Sequence, residues 1–375
     1  MQGDDFLKVL YVTTIGTTMS FFAPFIKELL ADGHVVDIAT NDRVSAVPPC
    51  YAEWGCRIFS LPCTRSPVTM ATLKTVKDIR RIVANETYDI VHCHTPVAAM
   101  CTRLACRKAR KEGTQVFYTA HGFHFYKGAP LKNWLVYYPI EKICSYMTDV
   151  LITINHEDFD LANRKMKAKR IEYVPGVGVD LSQFMDNKAD KSAKRREIGV
   201  PDDAFLLLSV GELNENKNHR VIIQALAELH NPNVHYAIAG VGNQKEPLLA
   251  LANELGVSEQ IHLLGYRKDI SELNHASDVF CFPSQREGLG LAAIEAMACG
   301  LPVVAAKNRG TVEFVMRDEN GFLCDFRDAE GFAKAISRII ADSDLRASLS
   351  LCAVNTVGKY HVENIIAIMK GIYGV

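Results

Sequence analysis

The sequence predicts an α/β protein built from two Rossmann-like, doubly wound domains, and three observations carry that prediction. With 375 residues the chain is longer than the roughly 250–300 residues at which a single hydrophobic core stops growing, so two cores are expected. Short β-branched runs alternate with helical patterns, the succession that builds parallel sheets. That succession is interrupted once and then restarts.

In the first half, residues 8–14 (KVLYVTT), 34–40 (HVVDIAT), 89–94 (DIVHCH), 115–120 (QVFYTA) and 149–154 (DVLITI) are near-continuously apolar, as strands covered on both faces must be. Residues 21–31 and 71–85 lie between them with helical periodicity. A segment reading IEYVPGVGVD over 171–180, followed by a polar, lysine-rich stretch over 186–196, marks a linker. Strands resume at 205–211 (FLLLSVG), 235–240 (HYAIAG), 261–265 (IHLLG), 279–283 (VFCFP) and 301–306 (LPVVAA), again separated by helical stretches. A last helix is expected from about residue 354 to 373, free to pack on either domain. Open α/β sheets bind ligands beyond the carboxyl ends of their strands, so function is expected in a central cleft that the two domains face.

Composition narrows the classes. A formal net charge of -1 with 23% charged residues implies no bulk polyanion and no nucleic-acid partner. Residues 1–180 hold 22 basic and 18 acidic side chains and the remainder 20 and 25, an asymmetry compatible with an anionic surface for the first half or with chance. Eleven scattered cysteines without a C-x-x-C pair, and a start lacking signal-peptide features, suggest a reducing cytosol. No apolar run approaches the ~20 residues that cross a bilayer.

The most informative stretch is PSQREGLGLAAIEAMACGLPVV, residues 283–304. Glu287 follows a strand, Gly288, Leu289 and Gly290 form a turn, and residues 291–299 read as a helix. Free amides and the positive dipole end at that turn make an anion site. Carboxylates do not bind phosphate, so Glu287 and Glu295 should accept hydrogen bonds from hydroxyls such as those of sugars. The plainer alternative is a helix-capping acid and a solvated glutamate, but Glu295 sits in an apolar helix where an unpaired carboxylate is costly.

Two glutamates separated by seven residues in this context resemble the signature of the retaining glycosyltransferases of family 4, which have the GT-B fold. The resemblance continues through GHVVD (33–37), DIVHCH (89–94), TAHG (119–122), VGEL (210–213), KNH (217–219), AGVG (239–242) and LGYRKD (264–269). The stretches HGFHFYKG (121–128) and VGELNENKNH (210–219) are similar to bacterial enzymes that build capsule, exopolysaccharide or lipid-linked oligosaccharide. The resemblance implies an acceptor-binding domain over 1–180, a nucleotide-sugar-binding domain over 181–355, and a C-terminal helix over 356–375 that crosses back. It implies that Glu295 binds ribose hydroxyls, that Glu287 contacts the donor sugar, and that the amides of Gly288, Leu289 and Gly290 meet the diphosphate. Lys217 would neutralise the leaving phosphate, and His121 would contact the donor sugar near the reacting carbon. Gly211, Gly240, Tyr266 and Arg267 fall in donor-binding segments. Gly16 and Thr17 stand where the family places an acceptor-facing loop.

The chain departs from the family at Glu212, where most members carry an arginine. A carboxylate cannot supply that second cation, and Arg309 or Arg286 is expected to do so. Three further features are read as bland. His92 and His94 on one strand lack a third ligand, so no metal is expected. Asp158 and Asp160 read as a solvated first helical turn. The GVGNQK segment at 240–245 lacks the last glycine of a dinucleotide fingerprint. Residues 126–139 mix aromatics with lysines, as at a membrane interface or in a helix packed on the sheet.

The expected activity is transfer of a hexose or N-acetylhexosamine from a nucleotide-diphosphate sugar, with UDP as nucleotide, to a lipid-linked saccharide in surface polysaccharide synthesis. No cofactor or metal is required. The protein is expected in the cytoplasm, with peripheral contact at the inner face of the plasma membrane. A nucleotide-sugar 2-epimerase of the same architecture and an NAD-dependent oxidoreductase are the competing readings.

Overall fold

A computed structural model describes residues 6–64, 66, 69–186 and 190–375. The chain divides into two compact units, one of residues 1–178 with Val362–Val375 and one of Val179–His361. Residues 187–189 of the expected linker lie outside the described residues.

The first unit contains a seven-stranded sheet. Its strands are β1 (Lys8–Val12), β2 (Val35–Thr40), β3 (Ile58–Ser60), β4 (Ile90–His94), β5 (Gln115–Ala120), β6 (Val150–Thr153) and β7 (Arg170–Tyr173), in the order β3-β2-β1-β4-β5-β6-β7. All pairings are parallel. Strand periodicity sends alternate residues to opposite faces. Leu10, Val12, Val91, Cys93, Val116 and Tyr118 accordingly form one core, while Val9, Tyr11, Ile90, Phe117 and Ile152 form the other. Chain order reverses between β1 and β4, so the loops after these strands flank the switch point at which such sheets take ligands.

The second unit repeats the plan with β8 (Phe205–Val210), β9 (Val234–Ala239), β10 (Ile261–Gly265), β11 (Val279–Phe282), β12 (Val303–Ala306) and β13 (Gly321–Cys324), ordered β10-β9-β8-β11-β12-β13. Here the switch point falls between β8 and β11. Leu207, Ile222, Tyr236, Val279, Val304 and Phe332 belong to its core.

The structure departs from the sequence expectations in particular places. β3, β7 and β13 were not anticipated; each has only three or four residues, and their burial is less complete. The helix expected from about 354 is two helices, Ser343–Val357 and Val362–Tyr373, separated by a turn at Gly358–Tyr360. The second joins the first unit, where Ile365, Met369, Ile372 and Tyr373 complete the core that contains Val9 and Tyr11. Asp158 is buried rather than solvated: it accepts the Phe123 amide at 3.0 Å and the Asn155 side chain at 3.0 Å, whereas Asp160 is exposed. No helix among the described residues is long and apolar enough to cross a membrane.

Candidate active site

At the switch point of the second unit, two loops are joined by hydrogen bonds. The loop after β8 ends at Asn218, whose left-handed backbone (φ 54°) opens the helix His219–Leu229. The loop after β11 runs to Gly290, which opens the helix Leu291–Ala298. The Gln285 amide donates to the Asn216 carbonyl at 2.8 Å, and Asn216 Nδ2 returns a bond to the Arg286 carbonyl at 3.0 Å. Asn218 Nδ2 donates to the Pro283 carbonyl at 3.2 Å. These bonds fix backbone groups that would otherwise wander in solvent.

Within that frame Lys217 Nζ lies 2.7 Å from Glu287 Oε1 and 5.2 Å from the centre of the Phe282 ring. The Asn214 side chain accepts the Lys217 amide at 2.9 Å. Gly211 leaves room for the lysine stem, since a Cβ there would stand 3.2 Å from Lys217 Cε. A Cβ at Gly240 would come within 1.8 Å of the Gly211 carbonyl oxygen, and the Gly240 amide donates to Gly265. Gly240 therefore allows the ends of β8 and β9 to approach.

Gly290 has φ 122°, and a Cβ there would meet Phe282 at 2.8 Å. No side chain caps the helix it opens, so no side chain competes with an anion for the amides of Leu291 and Ala292. Leu289 is buried behind the turn and Gly288 is half-buried. Arg309 is buried, and its Nε donates to the Glu287 carbonyl at 3.4 Å. Asn308 secures this corner by accepting the amides of Gly310 and Thr311 and donating to the Ser284 carbonyl at 2.8 Å. Arg286 is exposed beside Glu287, and Glu212 is exposed at the end of β8.

Glu295 occupies the second turn of the helix among buried Ala293, Ile294, Ala296 and Met297. Burial raises its carboxyl above the usual 4.5, and no cation pairs with it among the described residues. The arrangement offers one charge-paired carboxylate, one carboxylate without a cation among the described residues, the amides of a helix start and two arginines. It suits a ligand that carries both hydroxyls and phosphate.

The structure does not bring every expected residue to this place. Arg267 is held by Asp269 at 2.8 Å and Glu197 at 2.5 Å, in a cluster that includes Lys194. Its guanidinium is already committed. Tyr266 is 73% exposed just beyond β10.

In the first unit, Gly16 begins a 3-10 turn (Gly16–Phe22) where a Cβ would strike the Ser45 carbonyl at 2.2 Å. Thr17 is exposed and bonds Ser45 through both its amide and its hydroxyl, each at 3.1 Å. His121 follows β5, and its Nε2 lies 3.2 Å from His94 Nδ1. Both rings are kept neutral by burial, His121 with its value down to about 4 and His94 well below the usual 6.5. His92 is engaged through both nitrogens, with Tyr373 Oη at 2.6 Å and Thr119 Oγ1 at 2.8 Å. Sequence reasoning missed Asn214, Asn216 and Asn308, whose signal was only asparagine within a few residues of a lysine in a loop. It also missed His94 as the partner of His121.

Residues 190–353 match the family described as "Glycosyl transferases group 1", and residues 20–176 match "Glycosyl transferase 4-like domain". The chain is 37% identical over 371 residues to EpsD of Bacillus subtilis strain 168, named as a glycosyltransferase, covering 98% of this chain and 96% of that one. It is 28% identical over 333 residues to the UDP-Gal:alpha-D-GlcNAc-diphosphoundecaprenol alpha-1,3-galactosyltransferase of Escherichia coli, covering 86% and 85%. Among solved structures it is similar to HepE of Anabaena in complex with UDP, with a TM-score of 0.81 at 20% identity, covering 98% of this chain and 100% of that one. The chain belongs to the family 4 glycosyltransferases of the GT-B fold.

Proposed function

We propose that this glycosyltransferase is a retaining enzyme that moves a hexose or N-acetylhexosamine from a UDP-sugar to a hydroxyl of a lipid-linked saccharide during surface polysaccharide synthesis. The observation that carries this reading is the Lys217–Glu287 pair (2.7 Å) at an uncapped helix start whose second turn bears the partnerless Glu295. Relatives support it. The Escherichia coli enzyme is named for a UDP-galactose donor and a diphosphoundecaprenol-linked acceptor, and HepE was solved with UDP and with UDP-glucose.

In this reading the two oxygens of Glu295 accept the ribose hydroxyls, which offsets the cost of a buried carboxylate. Glu287 accepts a hydroxyl of the sugar. Amides at residues 288–290, with Arg309 and Arg286, balance the diphosphate and compensate for Glu212. The donor C1–O bond breaks with its electron pair leaving on the β-phosphate. The acceptor oxygen bonds to C1 on the same face, and its proton passes to the departing phosphate. Lys217 stabilises the charge that grows there, a role worth about 10²–10³ in rate in a dry site. His121 is assigned to the donor sugar and Gly16 with Thr17 to the acceptor. The scheme requires no metal.

The helix Leu131–Ser145 fits a peripheral contact with the cytoplasmic leaflet. Leu131, Leu135 and Ile143 are 73%, 68% and 62% exposed, with Lys132 and Lys142 among them, while Trp134 and Tyr138 pack on the core.

Incubation with UDP-hexoses, UDP-N-acetylhexosamines and a polyprenyl diphosphate-sugar tests the proposal. It predicts UDP release, a mass gain of one sugar by mass spectrometry, and retained anomeric configuration by NMR. An inverted product, or transfer only from a sugar on a different nucleotide, would overturn it.

A further inference from the structure

We propose that His94 is a positioning residue: its Nδ1–H donates to Nε2 of His121 and thereby holds the His121 proton on Nδ1, where the ring can donate it to a ligand oxygen. The proposal rests on the reading that His121 contacts the donor sugar.

The geometry fixes the direction of the bond. The facing nitrogens are 3.2 Å apart, a distance that requires one hydrogen between them. Burial holds both rings neutral, so each has one N–H and one lone pair. Were His121 the donor, His94 would carry its own proton on Nε2. That atom is fully buried and without a hydrogen-bond partner. The cavity of about 40 Å³ beside the ring is lined mainly by apolar side chains, among them Phe22, Phe25, Val174 and Met369. A buried N–H with no acceptor is much rarer than an acceptor left without a donor. With His94 as donor, only a bare lone pair faces the cavity.

The His94 ring has little freedom to escape this choice. Phe22 stacks on it with centroids 4.0 Å apart, and Tyr11 lies at 5.5 Å and 15°. Neighbouring His92 shows the same pattern. The Tyr373 hydroxyl donates to Tyr11 at 3.1 Å, so its oxygen is free to accept His92 Nδ1–H, and Thr119 serves Nε2. On His121, Nε2 is taken and Nδ1 has no partner among the described residues. The free position is therefore the protonated one, suited to an acceptor oxygen on a sugar.

Long-range proton–nitrogen NMR on protein labelled with ¹⁵N-histidine reads each tautomer directly, with His121→Gln identifying the resonances. The expected spectrum of the unliganded protein has His121 Nδ1 protonated and Nε2 bare. His94→Leu should populate the Nε2–H form and lower kcat about 10- to 100-fold, the usual loss when an orienting partner is removed. His94→Asn, which retains an N–H near the Nδ1 position, should restore the tautomer and most of the rate. A wild-type His121 protonated on Nε2, or a tautomer unmoved by His94→Leu, overturns the proposal. If His94→Leu does not fold, the wild-type spectrum still decides. A protein with the expected tautomer that transfers no sugar would instead defeat the assignment of His121 to the donor.

Discussion

Replacing Glu295 with glutamine should stabilise the unliganded protein while weakening nucleotide binding, and the opposite signs are the diagnostic. The wild-type carboxylate lies among buried apolar residues with its value raised by burial alone. A carboxyl whose folded value is raised contributes most to stability below the usual 4.5, and that contribution is lost as pH rises through the raised value. At neutral pH the folded chain therefore carries an ionised group at a cost. Glutamine has nearly the same shape and no charge, so the unliganded melting temperature should rise. In the proposed complex, two ribose hydroxyls donating to two carboxylate oxygens would be charge-assisted bonds worth roughly 1.5–3 kcal/mol each. The amide retains one acceptor and loses the other. Forfeiting one such bond corresponds to about a 10- to 150-fold rise in Kd for UDP at ~1.4 kcal/mol per tenfold. Calorimetric titration with UDP and thermal unfolding in its absence measure the two halves. A Kd within twofold of wild type, or a melting temperature that falls, would show Glu295 to be a structural helix residue.

Other substitutions separate the charges around the turn. Arg309→Ala should weaken UDP binding about tenfold or more, the cost of one charge-assisted contact. Arg346→Ala, which removes only a guanidinium 5.6 Å from the Phe205 ring centre, should leave it unchanged; equal effects in the titration would refute the role of Arg309. Gly310→Ala places a Cβ 2.6 Å from the Leu289 carbonyl and 3.0 Å from Glu287 Cβ. It should displace the Glu287 turn and lower kcat/KM by at least about tenfold, and an unaltered rate would show that the turn tolerates movement. For pH, burial depresses His92 to about 3, His121 to about 4 and His219 to about 4. These groups are neutral when folded and bind protons on unfolding, so the stability they contribute is present above 6.5 and lost as pH falls towards 4. The urea midpoint should fall between pH 7.5 and 5, and a constant midpoint would contradict the burial of these rings.

Much of the site was legible because its chemistry lies close together in sequence. Glu287, Gly288, Gly290 and Glu295 are spaced by a strand end, a turn and a helix, and local geometry alone puts them on one ridge. Lys217 was legible through resemblance, but its 2.7 Å bond to Glu287 joins residues seventy positions apart. Arg267 illustrates the limit. Its motif placed it with the donor segments, yet Glu197 and Asp269 hold it, because a cation is captured by whichever carboxylates the fold brings nearest.

The sequence by itself determined the two α/β units, the strand ends that bear the loops, and which residue types gather at the turn after β11, since periodicity and turn chemistry are local properties. Tertiary structure alone decided three other matters. It broke the final helix at Gly358–Tyr360 and returned Val362–Val375 to the first unit, where Tyr373 reaches His92. It buried Asp158 as an acceptor for the Phe123 amide rather than leaving it in solvent. It set His94, at the end of β4, against His121, just past the end of the neighbouring β5. Each depends on which groups lose water together, and hydrogen-bond partners in a dry interior are chosen by proximity in space rather than by distance along the chain.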